Sequence, residues 1–186
     1  MPFSVLRNFV LGTLVLIIAL FVGGFLLPDT ARVERQALVQ ASPEQIFPLI
    51  NGFSRFNEWQ PWARIDPGMK VERSGPAAGV GARQAWFSEN KGVGSGNLEV
   101  IESVPYERVR MQLQYTGFDG DNQSLFTLKP QGQGTLVTWT YQTRVGNNII
   151  GRYFGLMLDG MVGKDYETGL LNLKLLAERE ASRPAS

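Results

Sequence analysis

Apolar and polar positions fall into three regimes along this chain. From Phe9 to Leu27, nineteen residues pass without a charged side chain. Roughly twenty apolar residues at a helical rise of about 1.5 Å span a ~30 Å hydrocarbon core, where only a helix satisfies its own backbone. The pattern predicts a transmembrane anchor over residues 1–28. A cleaved secretory signal competes, since only Arg7 precedes the run and Val22-Gly23-Gly24 offers a weak cleavage site. The run is longer than the roughly 7–15 residues of a signal core, and no Ala-x-Ala pattern precedes Pro28-Asp29-Thr30. A buried soluble helix is the third reading.

The second regime is alternating. After an imperfect alternation over Arg32–Val39, Ser42-Pro43-Glu44-Gln45 supplies an N-cap, a proline at the first helical position and a polar first turn, so a helix begins there and stops at Asn51-Gly52. Phe53, Phe56 and Trp59 at helical spacing predict a second short helix. From Met69 onward the segments are short and punctuated by Gly, Pro and Asn. Val109, Met111, Leu113 and Tyr115 share one face against Arg108, Arg110, Gln112 and Gln114; Val137, Trp139, Tyr141, Thr143 and Val145 repeat the pattern. Further strands are read at Met69–Arg73, Arg83–Glu89, Asn97–Val104 and Ser124–Lys129, with hairpin loops at Asn90-Lys91-Gly92 and Pro130–Gly134. Asp119-Gly120-Asp121-Asn122 reads as a hairpin turn, because the later calcium ligands are missing.

The third regime, Asn148 to about Glu178, returns to helical period with Val162, Tyr166, Gly169, Leu173 and Leu176 on one stripe. Gly160 and Gly163 predict a bend or break. Ile149–Leu158 is apolar nearly all round apart from Arg152, so protein, ligand or membrane should cover most of it. The order predicts an α+β fold, a curved antiparallel sheet of six to seven strands around a long C-terminal helix, with two short helices after the first strand and one N-terminal transmembrane helix. The soluble domain is placed at residues 31–179 and a disordered tail at 180–186.

Composition narrows the chemistry. A net charge of +1 with interleaved signs leaves no basic stripe for nucleic acid. The chain has no histidine and no cysteine, which removes common zinc sites, His-activated nucleophiles, thiol redox pairs and His-ligated haem. Gly92, Gly94 and Gly96 are no phosphate cradle, because a strand follows them. No metal and no cofactor are expected.

Four stretches carry a family resemblance: Asn57-Glu58-Trp59-Gln60-Pro61-Trp62-Ala63, Ser74-Gly75-Pro76 with Gly79-Val80-Gly81-Ala82, Glu102-Ser103-Val104-Pro105-Tyr106-Glu107-Arg108-Val109, and Gly151-Arg152-Tyr153-Phe154-Gly155-Leu156-Met157. Together they resemble the SRPBCC superfamily, in its polyketide cyclase/dehydrase, START-like branch, over about Val33–Leu176. The resemblance implies a helix-grip fold with a hydrophobic cavity between sheet and long helix, and a lipid-like or polycyclic ligand. It implies no reaction, since the same fold carries lipid transfer, hormone binding, cyclisation and chaperone-partner roles. None of the four stretches supplies a catalytic residue.

The expected cavity residues are Trp59, Trp86, Met111, Leu113, Trp139, Tyr141, Tyr153 and Met157, each of which has core packing as its plainer alternative. Trp62 and Met161 share that ambiguity. Glu58, Glu99, Asp159 and Asp165 are the carboxylates a proton-transfer mechanism would use, and Arg83 and Arg152 the cations that would hold an acidic headgroup. The leading expectation is a non-catalytic, membrane-tethered domain, periplasmic or extracellular, that binds a hydrophobic small molecule or lipid. Its alternatives are a cyclase or aromatase using a cavity carboxylate or Tyr, and a partner-binding module with a filled core.

Overall fold

The computed structural model describes residues 3–183, apart from the side chains of Phe3, Phe118 and Asp119. α1 (Phe3–Leu26) leads to β1 (Thr30–Val39), α2 (Pro43–Ile50), a 3-10 turn over Phe56–Glu58 and α3 (Trp62–Ile65). Then come β2 (Lys70–Ser74), β3 (Arg83–Phe87), β4 (Gly96–Val104), β5 (Arg108–Tyr115), β6 (Phe118–Gln131), β7 (Gly134–Arg144) and α4 (Ile149–Ala181). The strands form one antiparallel sheet in the order β1-β7-β6-β5-β4-β3-β2. β1 pairs with β7, Val33 opposite Tyr141, so the first strand joins the last. The result is an α+β helix-grip arrangement, and within α1 the segment Ser4–Leu26 is apolar and long enough to cross a membrane.

One face of the sheet is dry because the alternation is strict. Val109, Met111 and Leu113 on β5, with Val137, Trp139 and Tyr141 on β7, turn inward. They meet Ile46, Phe47, Leu49 and Ile50 of α2 and Tyr166, Leu170, Leu173 and Leu176 of α4. Each such side chain contributes about 1.5–3 kcal/mol on burial. α2 begins where the sequence indicates: the Gln45 side chain accepts the Ser42 backbone N–H at 3.0 Å, and Pro48 fits inside the helix.

Four expectations are corrected. α4 runs unbroken through Gly160 and Gly163. Gly163 serves close approach, since a Cβ there would overlap the Arg35 guanidinium lying across it, while Gly160 faces open space. Arg35 itself bonds Asp159 at 2.8 Å and Glu167 at 2.7 Å, stitching α4 to β1. The helix expected over Phe53–Trp59 is only the 3-10 turn, although Phe53, Phe56 and Trp59 do share a buried side. β3 stops at Phe87, not Glu89, because the Ser88 N–H turns to the Ser95 hydroxyl at 3.0 Å.

The turn expected at Asp119–Asn122 lies instead at Thr116-Gly117, where Gly117 takes a φ of 80° that favours glycine. Asp119–Asn122 belongs to β6, whose Asn122 is held in the strand by inward hydrogen bonds. At the C-terminus, α4 continues to Ala181, and residues 184–186 of the expected tail lie outside the described residues.

Candidate functional site

The two halves of α4 meet different surroundings. The second half lies on a solid aromatic block. Trp139 stacks on Tyr166 at 3.8 Å and on Phe126 at 4.8 Å, and Trp59 stands edge-on to Trp139 at 5.5 Å. The indole N–H of Trp139 donates to Ser124 Oγ at 2.7 Å, and that of Trp59 to the Leu49 carbonyl at 3.0 Å. Trp139 reaches the helix only because residue 169 is glycine; a Cβ there would sit 2.6 Å from the ring. This part of the interior is full.

Beside the first half of α4 a cleft of about 610 Å³ opens between helix and sheet, well within the ~300–1,000 Å³ of small-molecule sites. Ile150, Phe154, Leu158 and Val162 form its helical wall; Tyr115, Tyr141, Thr143 and Val145 form its sheet wall. The exposed Arg144 and Asn148 stand at its edge. Of the cleft's lining residues Arg144 alone is charged.

Behind the sheet wall of the cleft lies a buried polar cluster. Tyr141 donates its hydroxyl to Asn122 Oδ1 at 2.8 Å, and the buried Asn122 donates its Nδ2 to the Gly120 carbonyl at 3.1 Å. Thr143 is 5% exposed, and its Oγ1 is buried beside the Tyr141 phenol, whose pKa it helps to lower, without a hydrogen bond of good geometry. Leaving such a group unpaired costs about 1–3 kcal/mol. Burial pushes the Tyr115 phenol up to about 12, and raises Tyr141 and Tyr166 as well, with Tyr115 nearby adding to both. At neutral pH these phenols are uncharged hydrogen-bonding groups.

A smaller pocket of about 70 Å³ adjoins, lined by Phe56, Trp62, Trp86, Leu98 and Leu113 among others. Tyr115 lines both spaces and meets Trp86 edge-on at 5.8 Å. It is the partition between them.

The eight expected cavity residues thus separate. Tyr141 faces the cleft, and Trp86 and Leu113 face the small pocket. Trp59, Met111 and Trp139 sit in the packed core. Tyr153 is turned to α1, donating its hydroxyl to the Leu20 carbonyl at 2.7 Å, and Met157 is exposed on the outside of α4. Tyr115, Thr143, Ile150, Phe154, Leu158 and Val162 were not singled out. The signals were nonetheless present, because the β7 alternation runs on to Thr143 and Val145, and Ile149–Leu158 is apolar nearly all round.

The four carboxylates lie elsewhere. Glu58 pairs with Arg55 at 2.8 Å, Glu99 with Arg83 at 3.0 Å and Asp159 with Arg35 at 2.8 Å. Each guanidinium holds its carboxyl below the ordinary value, chiefly through the hydrogen bond it donates. Asp165 is half-buried and does not line the cleft. The Arg83–Glu99 pair borders a separate polar groove of about 400 Å³ on the outer face of the sheet. Arg152 donates to the carbonyls of Phe25 at 2.9 Å, Leu27 at 3.0 Å and Gly146 at 2.9 Å. Among the described residues no group of His, Cys, Asp and Glu is arranged to hold a metal ion.

This architecture agrees with a sequence match. Residues 30–178 fit the family described as polyketide cyclase/dehydrase and lipid transport. The chain belongs to that family. A protein from Thermobifida fusca, known from a solution structure, is similar with a TM-score of 0.62 and 15% identity, over 83% of this chain and 97% of its own. Truncated norcoclaurine synthase from Thalictrum flavum is similar at 0.57 and 15%, over 79% and 93%. The Aha1 dimer from Colwellia psychrerythraea gives 0.54 and 19%, over 79% and 96%. At such identities the likeness is one of fold. No curated protein matches the chain.

Proposed function

We propose that this family member is held at a membrane by α1 and binds, without transforming it, a hydrophobic small molecule or lipid in the cleft beside the first half of α4. The observation that carries the reading is the cleft itself, with aliphatic and aromatic walls and a single charged residue, Arg144, at its edge. A ligand with a largely apolar body matches these walls. Among the lining residues there is no carboxylate, and burial keeps the Tyr115 and Tyr141 phenols protonated, which argues against proton abstraction by either candidate. The family description names lipid transport beside cyclase and dehydrase chemistry, so binding is among the roles it covers.

The test uses the full-length chain purified from its own membranes in mild detergent. Native mass spectrometry should show co-purifying small molecules, and Val162→Trp, which fills the cleft from the helix side, should remove them while leaving the melting temperature within a few degrees. Retention of the same bound mass by Val162→Trp would sink the reading.

A further inference from the structure

The first half of α4 presents an unusual surface. Ile150 is 82% exposed, Leu156 63%, Met157 64% and Met161 54%, and Phe154 is open as well. At about 100° per residue, Ile150, Phe154, Met157 and Met161 fall within roughly 60° of one another, a stripe about 16 Å long. The two charged residues between Ile149 and Gly163 are both turned away from it. Arg152 reaches the carbonyls of α1, and Asp159 is bound by Arg35. Lys164 and Asp165 follow immediately after, where the stripe ends.

The stripe's flank identifies what lies over it. Ile149 rests so close to Gly24 that a Cβ on the glycine would overlap it, and Tyr153 reaches back to Leu20, six residues before the end of α1. An apolar helix long enough to span a bilayer therefore carries the start of α4 at its own end, with Tyr153 at the depth where tyrosines gather at membrane interfaces.

We propose that the bilayer covers this stripe: the first half of α4 lies in the boundary between headgroups and acyl chains, in the manner of interfacial amphipathic helices that sink about 5–10 Å. The inference rests on α1 being embedded. Ile150 and Phe154 belong both to the stripe and to the cleft wall, so this placement opens the cleft toward lipid and lets an apolar ligand enter without crossing water. A second copy of the chain is the competing cover; the continuity of the stripe with α1 favours lipid.

The chain contains no cysteine, so single cysteines can carry an environment-sensitive dye without background. Leu16→Cys, Met157→Cys, Met161→Cys and Leu171→Cys are labelled in the full-length protein. Each is reconstituted in phosphatidylcholine vesicles containing a minor share of phosphatidylglycerol and nitroxide-bearing lipid. Dyes at 157 and 161 should be quenched at least twofold more than the dye at 171, and the dye at 16 most of all. Quenching at 16 but not at 157 and 161 overturns the docking and leaves the anchor standing. Absence of quenching at 16 overturns the anchor and the docking with it. Protection of 157 and 161 without lipid quenching, together with disulfide capture between copies through Met157→Cys, assigns the stripe to self-association and also overturns the proposal.

Discussion

Tyr141 donates its hydroxyl to the fully buried Asn122 at 2.8 Å, across the β6–β7 pair and at the wall of the cleft. The bond satisfies a turn-forming residue inside a strand and gives the buried phenol hydroxyl its acceptor. Tyr141→Phe leaves the Asn122 carboxamide oxygen short of a donor, at a cost of about 1–2 kcal/mol. A double-mutant cycle with Asn122→Ala, measured by denaturant unfolding, should give a coupling of about 1 kcal/mol between the two sites. A coupling near zero would show that the bond contributes nothing.

Thr143→Val separates stability from binding. Replacing the unpartnered hydroxyl with a methyl removes a buried polar group of nearly the same shape, so the empty protein should gain about 1 kcal/mol in thermal or denaturant unfolding. Because the hydroxyl is buried behind the cleft wall, affinity for cleft ligands should stay within about twofold. A loss of about tenfold would show that the hydroxyl reaches the ligand.

The acid limb of stability should follow the arginine–carboxylate pairs. Arg55 holds Glu58 and Glu180 below their ordinary 4.5, mainly through hydrogen bonds, and Arg35 does the same for Asp159 against 3.8. A carboxyl with a depressed folded value stabilises fully above its unfolded value and loses that contribution as pH falls. Melting temperature should therefore be level down to about pH 5 and decline below it. The deficit of Arg55→Gln at neutral pH should close near pH 2–3. At the alkaline end the sign reverses: Tyr115, raised from 10.0 to about 12, favours the fold below pH 10 and ceases to as pH rises toward 12. A tyrosinate absorbance titration should show Tyr115, Tyr141 and Tyr166 silent until that range or until unfolding.

Two glycines of the same helix should respond oppositely to alanine. Gly160 has open space where a Cβ would go, so Gly160→Ala should stabilise by about 0.5–1 kcal/mol through helix propensity. Gly169→Ala drives a methyl into the Trp139 ring, itself stacked on Tyr166, and should destabilise by about 1–3 kcal/mol despite the same propensity gain. Circular-dichroism melts of both variants test the contrast.

Much of the architecture was legible because the relevant signals are local. Alternation on β5 and β7 and the Ser42–Gln45 start of α2 depend on neighbours in sequence, and each appears where the pattern puts it. The misread positions are those whose environment comes from afar. Gly163 looks like a helix breaker until Arg35, on another strand, is seen lying across it. Asn122 looks like a turn until Tyr141 supplies its partner. The site was legible only as a collection of aromatic and apolar residues. Whether an aromatic side chain packs or lines a cavity depends on what the opposite wall brings: Trp139 is closed over by Tyr166 and Gly169, whereas Tyr141, though buried, borders the cleft.

The grip of Arg152 on the last turn of α1 bears on how the molecule behaves once cut. Proteolysis within Val22–Gly24 would strip away the carbonyl of Leu20, leaving Tyr153 without its acceptor, while Arg152 keeps the carbonyls of Phe25 and Leu27. A clipped product should consequently lose the exposed apolar surface of α1 yet leave the Tyr153 side of α4 uncovered, so that detergent collects at the vacated place. The hydrophobic stem is thus a fitted part of the domain's outer wall, and its orientation passes directly to the cleft beside it.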